Sequence, residues 1–288
     1  MSNGHPFLEA VVQQFQAAGI QHERLDTDAL TRRYPQINPE GLSTAVWEPD
    51  GGYLLANRAC AAVVAGFQSE GGHYRTAQAL PGRIRAGHMQ DIALDSGESL
   101  RADRYVFACG PWLGKWFPDL LAAHLKVTRQ EVFDFNTPPG TGAYNEGHMP
   151  IWADLRDKLW YGIPGNPTGG DAQYGFKVAD DTRGPVFDPD TGARKASDAG
   201  RIAARKFMET RFPGMKNATL AASRVCQYTN TPDQNFILDT HPEAANVWIM
   251  GGGSGHGFKH GPALGERAAG WVLEESAPEP LFSLSRLI

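Results

Sequence analysis

Three stretches of this 288-residue chain hold side chains that could do chemistry. In SRVCQYTNT, Cys226 and Tyr228 are two apart, so an extended strand puts a thiol and a phenol on one face. In YGFKVADD, Lys177 is flanked by Phe176 and Val178, and alternation turns its amine to the opposite face. If that face is covered, Lys177 is a buried amine and a site candidate. In VWIMGGGSGHGFKHGPALGE, an apolar run ends at Met250 and five of the next seven residues are glycine. Missing side chains let a ligand approach the backbone, and a helix beginning near Pro262 offers N–H donors to a phosphate or oxyanion. His256 and Lys259 put two basic groups inside that loop, which suits an anion better than it suits packing.

Each stretch also has a plainer reading. A glycine run is often a tight strand-to-helix connection. A lone cysteine in an apolar strand is usually a small buried hydrophobe. A lysine usually points to solvent. A fourth string, DRYVFACGPW, ends an apolar strand at Cys109 and Gly110. It reads as a strand end and turn, or as a second backbone approach to a large cofactor.

The elements that must position these residues follow from periodicity. Residues 6–18 have a helical pattern with proline at the first turn and Gly19 as a stop. IQHERLD suits a short strand, and Asp26 caps a second short helix ending near Tyr34. TAVWEPDGGYL reads as strand, turn, strand, and NRACAAVVAGFQSEGG as a helix. HYRTAQAL, GRIRAGHM, DIALDSGESL and DRYVFACG are strand-like, with a turn at Asp95-Ser96-Gly97. LKVTRQEVFDF is a longer strand; WYGIPG and GFKVADD are two more, separated by a glycine-rich loop. A helix over 196–212, strands in ATLAASRVCQYTNT, NFILDT and NVWIMG, and a closing helix in PALGERAAGWVLEES complete the order.

Helices at both ends with antiparallel-looking strands between them predict a mixed α and β fold (α+β) in two interleaved parts. One is an α/β part from residues 1–124 and 241–288, with residues 40–55 available to pair with the other part's sheet. The other is a mostly antiparallel sheet domain over 125–240. A net charge of −5 with no basic stripe argues against nucleic acid. No apolar run approaches the roughly 18 residues of a membrane span, and the first residues do not form a secretory signal. Three distant cysteines, without a C-x-x-C, argue against a disulfide scaffold or zinc ribbon and for a reducing, cytoplasmic setting. The nine histidines show no metal-ligand spacing, so no metal is expected.

Taken together, WEPDGGYL (47–54), DRYVFACGPW (103–112), LWYGIPG (159–165), GFK (175–177), RVCQYTNTPDQNFILDTHPE (224–243) and GGGSGHGFKHGPALGE (251–266) resemble the FAD-dependent amine oxidases of the D-amino-acid oxidase superfamily. The nearest likeness is to the monomeric sarcosine oxidase group, with its N-methyl and fructosyl amino acid oxidases. The likeness implies an FAD-binding α/β domain interleaved with a substrate domain. It implies FAD as cofactor, with covalent attachment through Cys226. It makes Lys177 the lysine that promotes reaction of reduced flavin with oxygen, by a fixed positive charge. Lys259 becomes the carboxylate-holding lysine, and Tyr161 and Tyr228 line the substrate pocket. Gly253, Ser254, Gly255, His256, Gly257, Phe258 and Lys259 form a loop wrapping the flavin, with Cys109 and Gly110 as a second cofactor contact. The implied reaction oxidises the C–N bond of a secondary or N-substituted amino acid to an imine, with oxygen reduced to hydrogen peroxide.

Two departures accompany the likeness. The family has a histidine shortly after the oxygen-activating lysine, whereas here the stretch ends in Asp180-Asp181, which leaves a cationic or more basic amine open as substrate. The family also opens with a strand, a G-x-G-x-x-G turn and a helix that hold the ADP half of FAD. No such turn occurs in these 288 residues. The expectation is therefore a gene start placed too late, or a partner chain that carries the unit. The alternatives are an FAD-free remnant or partner subunit without catalysis, and a metabolite-binding protein using Lys259 and the tyrosines.

Overall fold

A computed structural model describes residues 6–166 and 175–287. In chain order the elements are α1 (Pro6–Ala18), β1 (Glu23–Leu25), α2 (Thr27–Arg33), β2 (Ala45–Trp47), α3 (Ala56–Ser69), β3 (Ala79–Leu80), β4 (Ile84–Arg85), β5 (His88–Met89), β6 (Ile92–Leu94), β7 (Ser99–Leu100), β8 (Tyr105–Phe107), α4 (Leu113–Trp116) and α5 (Pro118–Leu121). Then come β9 (Lys126–Phe135), β10 (Trp152–Asp154), β11 (Trp160–Gly162), β12 (Phe176–Asp180), α6 (Asp198–Arg211), β13 (Leu220–Asn230), β14 (Ile237–His241), β15 (Ala244–Gly251) and α7 (Gly261–Val272). The glycine-rich loop expected between WYGIPG and GFKVADD lies largely outside the described residues.

The chain divides into two compact units: Met1–Leu55, Gln130–Arg183 and Ala193–Cys226 in the first, and Ala56–Arg129, Gly184–Gly192 and Gln227–Ile288 in the second. The division falls within β9 and within β13.

The first unit is built on a five-stranded sheet in the order β10-β11-β12-β9-β13. Its core gathers one face of that sheet with α6: Phe133, Phe135, Phe176 and Val178 meet Phe207, Met208 and Phe212. Trp160 stacks on Phe207 with ring centroids 4.7 Å apart, and Trp152 stacks on the same ring at 5.5 Å. Ser197 caps α6 by accepting from the Gly200 N–H, and it is itself held by Glu131. The last turn of α6 is tied down by Arg211, whose Nε donates to Asp154 Oδ2 at 2.9 Å with both side chains buried. β1 and β2 form a separate antiparallel pair.

In the second unit, β14-β15-β8 form a sheet with an antiparallel β14/β15 pair and a parallel β15/β8 pair. Phe107, Leu113, Phe117, Leu121, Ile237, Val247 and Ile249 fill one of its faces. Leu238 and Trp248 pack with Ala268 and Trp271 of α7 on the other.

Three local expectations fail, the first at HYRTAQAL, of which only Ala79–Leu80 is strand. The run around Tyr53 is not a strand: after the bend at Glu48–Asp50 its hydroxyl donates to the Glu146 carboxylate, so a distant contact overrides local alternation. GRIRAGHM is not one strand but the hairpin β4/β5, turned by Ala86 (φ 49°) and Gly87 (φ 76°). Positive φ at both central residues is what a two-residue hairpin turn of type I′ requires.

Candidate functional site

Alternation along β12 sends Phe176 and Val178 into the first unit's core and leaves Lys177 on the other face. Register fixes what surrounds it. Lys177 pairs with Asp134 of β9, and Tyr161 of β11 pairs with Ala179, two residues along from Lys177 on the same face. The ammonium lies 4.7 Å from the centroid of the Tyr161 ring. β13, the next strand beyond β9, contributes Arg224 and, two residues on, Cys226. Arg224 Nη1 is 2.9 Å from Asp134 Oδ2.

The electrostatics are tightly wound. Asp134 is 2 % exposed, and neither carboxylate oxygen has a hydrogen-bond partner among the described residues. Burial pushes the Asp134 carboxyl above the ordinary value of 3.8, against Arg224 and Lys177, which pull it down. Burial pulls Lys177 below the ordinary 10.5, and Arg224 pushes the same way; Cys226, Asp134 and Asp181 oppose them. The acids after Lys177 each have a cation of their own: Asp180 pairs with Lys158, and Asp181 with Arg183 at 3.0 Å.

In the second unit, β15 ends in the glycine loop. Gly252 (φ 69°), Ser254 (φ 45°) and Gly255 (φ 85°) bend it sharply. Ser254 is wholly buried; its N–H donates to the Thr229 carbonyl at 3.0 Å and its Oγ to the Gly252 carbonyl at 3.1 Å. The Thr231 N–H donates to Ser254 Oγ. A Cβ on Gly255 would lie 2.3 Å from the Tyr228 ring, and one on Gly257 would lie 3.1 Å from the Gly253 Cα. Here the loop offers backbone because a side chain has no room. His256 Nε2–H donates to the Gln234 carbonyl at 3.0 Å. Phe258 and Lys259 are exposed on a short 3-10 turn that leads into α7. The loop thus brings Tyr228, Ser254, Gly255 and His256 together and holds Lys259 outward.

Cys109 and Gly110 follow β8 at the start of another 3-10 turn, with Trp112 donating to Asp190 Oδ1 at 2.6 Å. Gly110 has φ 53°, and a Cβ there would meet no atom within 4 Å. Burial pushes the Cys109 thiol upward. Sequence reasoning missed Asp134, Arg224 and His260. His260 joins Phe236 and His256 in an aromatic cluster and is pushed below 6.5 by burial, Lys259 and His256. Among the described residues no cluster of His, Cys, Asp or Glu could hold a metal, and no helix is long and apolar enough to cross a membrane.

Comparison with known proteins adds to this geometry. The family model described as FAD dependent oxidoreductase (DAO) matches residues 3–271. Monomeric sarcosine oxidase of Bacillus sp. (strain NS-129) is 28 % identical over 98 % of this chain and 73 % of its own length. N-methyl-L-tryptophan oxidase of Salmonella arizonae is also 28 % identical, over 97 % of this chain and 73 % of its own. The crystal structure of iminodiacetate oxidase from Chelativorans sp. BNC1 shares the fold, with a TM-score of 0.77 at 18 % identity over 96 % of this chain and 71 % of that one.

Proposed function

Because this chain belongs to the DAO family of FAD-dependent oxidoreductases, we propose that it oxidises the C–N bond of a secondary or N-substituted amino acid and reduces oxygen to hydrogen peroxide. The imine formed is released to hydrolysis. The observation that carries the reading is Lys177: a half-buried cation held over Tyr161, opposite Asp134 and beside Cys226. A fixed positive charge in a dry setting lowers the barrier to electron transfer onto oxygen.

The donor set fits the ring-bearing half of FAD. The loop at 253–258 presents backbone where Gly255 abuts Tyr228, and Gly110 opens onto space. In this reading Gly253 to Phe258, Cys109 and Gly110 would hold the cofactor, and Cys226 would be the residue of its covalent attachment. When bound, FAD supplies the hydride acceptor. Lys259 binds the substrate carboxylate, and Tyr161 and Tyr228 bound the amine and set its orientation. Because Asp180 and Asp181 are already paired with Lys158 and Arg183, the proposed substrate is an ordinary N-substituted amino acid rather than a strongly basic amine.

The residues do not fit the ADP half: no G-x-G-x-x-G turn is present. We propose that a partner chain supplies that half. Two features support the assignment. No residue of α3 is buried, and Val63 is 71 % exposed. Among the described residues, β8 pairs only with β15, which leaves its other edge open. The same features favour a second reading, an FAD-free partner subunit. The three cysteines are unpaired, in keeping with a cytoplasmic location.

Acid precipitation after incubation with FAD tests this reading. A yellow pellet from the parent and a colourless one from Cys226→Ser support covalent binding at that sulfur. A parent that stays colourless with FAD and any co-purifying partner present supports the FAD-free subunit.

A further inference from the structure

We propose that Asp134 and Arg224 are opposed positioning residues for Lys177, the carboxylate holding its ammonium charged and in place and the guanidinium working against it. Asp134 is the direct cross-strand partner of Lys177, and paired residues on one face lie about 5 Å apart at Cβ. Its carboxylate is buried, 2 % exposed. A carboxylate in that state persists only beside positive charge, and two cations supply it: Arg224 at 2.9 Å and Lys177.

The groups facing Lys177 can be named element by element. β11 gives the Tyr161 ring, β9 gives Asp134, β13 gives Arg224 and Cys226, and Asp181 follows β12 itself. Among these, Asp134 and Arg224 are the acidic and the basic side chain on the neighbouring strands. Removing one leaves the other acting on Lys177 alone. Their substitutions must therefore move Lys177 in opposite directions, which loss of packing would not do.

The role in oxygen reduction rests on the reading of Lys177 given above; the charge relation does not. The test is NMR titration of the Lys177 side chain in the full 288-residue chain labelled with 13C-lysine, without flavin, with Lys177→Met identifying the resonance. Asp134→Asn should shift the titration to lower pH, Arg224→Gln to higher pH, and Asp134→Glu should restore the parent value. If Asp134→Asn does not fold, Arg224→Gln still decides, since it keeps the buried carboxylate. Shifts of the same sign, or no shift in Arg224→Gln, would overturn the proposal. Opposite shifts with an unchanged pH profile of oxygen consumption would keep the charge relation and remove Lys177 from the oxygen step.

Discussion

Lys177 and Asp134 face each other across β12 and β9, a buried carboxylate opposite a half-buried ammonium on the face of the sheet turned away from its aromatic core. That pair gives the first unit a charged face ready for chemistry, and it makes the first expectation specific. Lys177→Met should slow reoxidation of the reduced enzyme by about 100-fold or more, in line with removal of one preorganised electrostatic group. Anaerobic reduction by amine should change far less. Stopped-flow measurement of the two half-reactions separates them, and equal losses in both would assign Lys177 to substrate binding.

The pH dependence has a definite sign. Lys177 titrates below the ordinary 10.5, because of burial first and Arg224 second. The oxygen step should fall as pH rises through that lowered value, and Lys177→Met should show no such limb. Stability runs the other way. Between the folded value and 10.5 the unfolded chain binds more protons, so the penalty of a charged Lys177 is present at lower pH and fades as pH climbs through that window. Urea unfolding of the parent and Lys177→Met from neutral pH upward checks the sign.

The Asp154–Arg211 pair anchors the end of α6, with both side chains buried and Arg211 also donating to the Asn38 carbonyl. Asp154→Ala strands a buried guanidinium, and the expected loss is about 3–5 kcal/mol in urea unfolding. A loss below about 1 kcal/mol would mean that water or another acceptor replaces the carboxylate.

Two glycines separate steric from conformational strain. Gly255→Ala meets both a positive φ and the Tyr228 ring at 2.3 Å, whereas Gly110→Ala meets only the positive φ. Gly110→Ala should cost about 1–2 kcal/mol, the left-handed backbone penalty alone. Gly255→Ala should cost about 1–3 kcal/mol more through overpacking, and should weaken flavin binding as the loop shifts. Thermal unfolding with a flavin fluorescence titration reads both.

Much of this is legible in the sequence. The helix over 6–18, the Asp26 cap and the strand order from LKVTRQEVFDF to NVWIMG follow from local periodicity, and the structure forms them. The likeness to the FAD oxidoreductases was carried by strings now matched over residues 3–271. What escaped was non-local. Asp134 sits between Phe133 and Phe135 in a strand, and that pattern already marks a charge needing a partner. Which residue answers it depends on the register of β9 with β12 and on the neighbouring β13, and register is set by tertiary packing. The hairpin at Ala86-Gly87 escaped because alanine is a poor signal for a left-handed turn position. Tyr53 left its expected strand because Glu146, far along the chain, captured its hydroxyl.

Supplied with FAD and whatever holds its ADP half, this chain is expected to oxidise N-substituted amino acids with oxygen. The most direct measurement is peroxide released per amine consumed, over a panel of N-methyl amino acids, with FAD and any co-purifying partner present. One peroxide per amine, lost in Lys177→Met without loss of bound flavin, is the predicted result. A flavin-loaded protein that consumes no amine, or one that consumes amine without peroxide, would rule out an amine oxidase that uses oxygen.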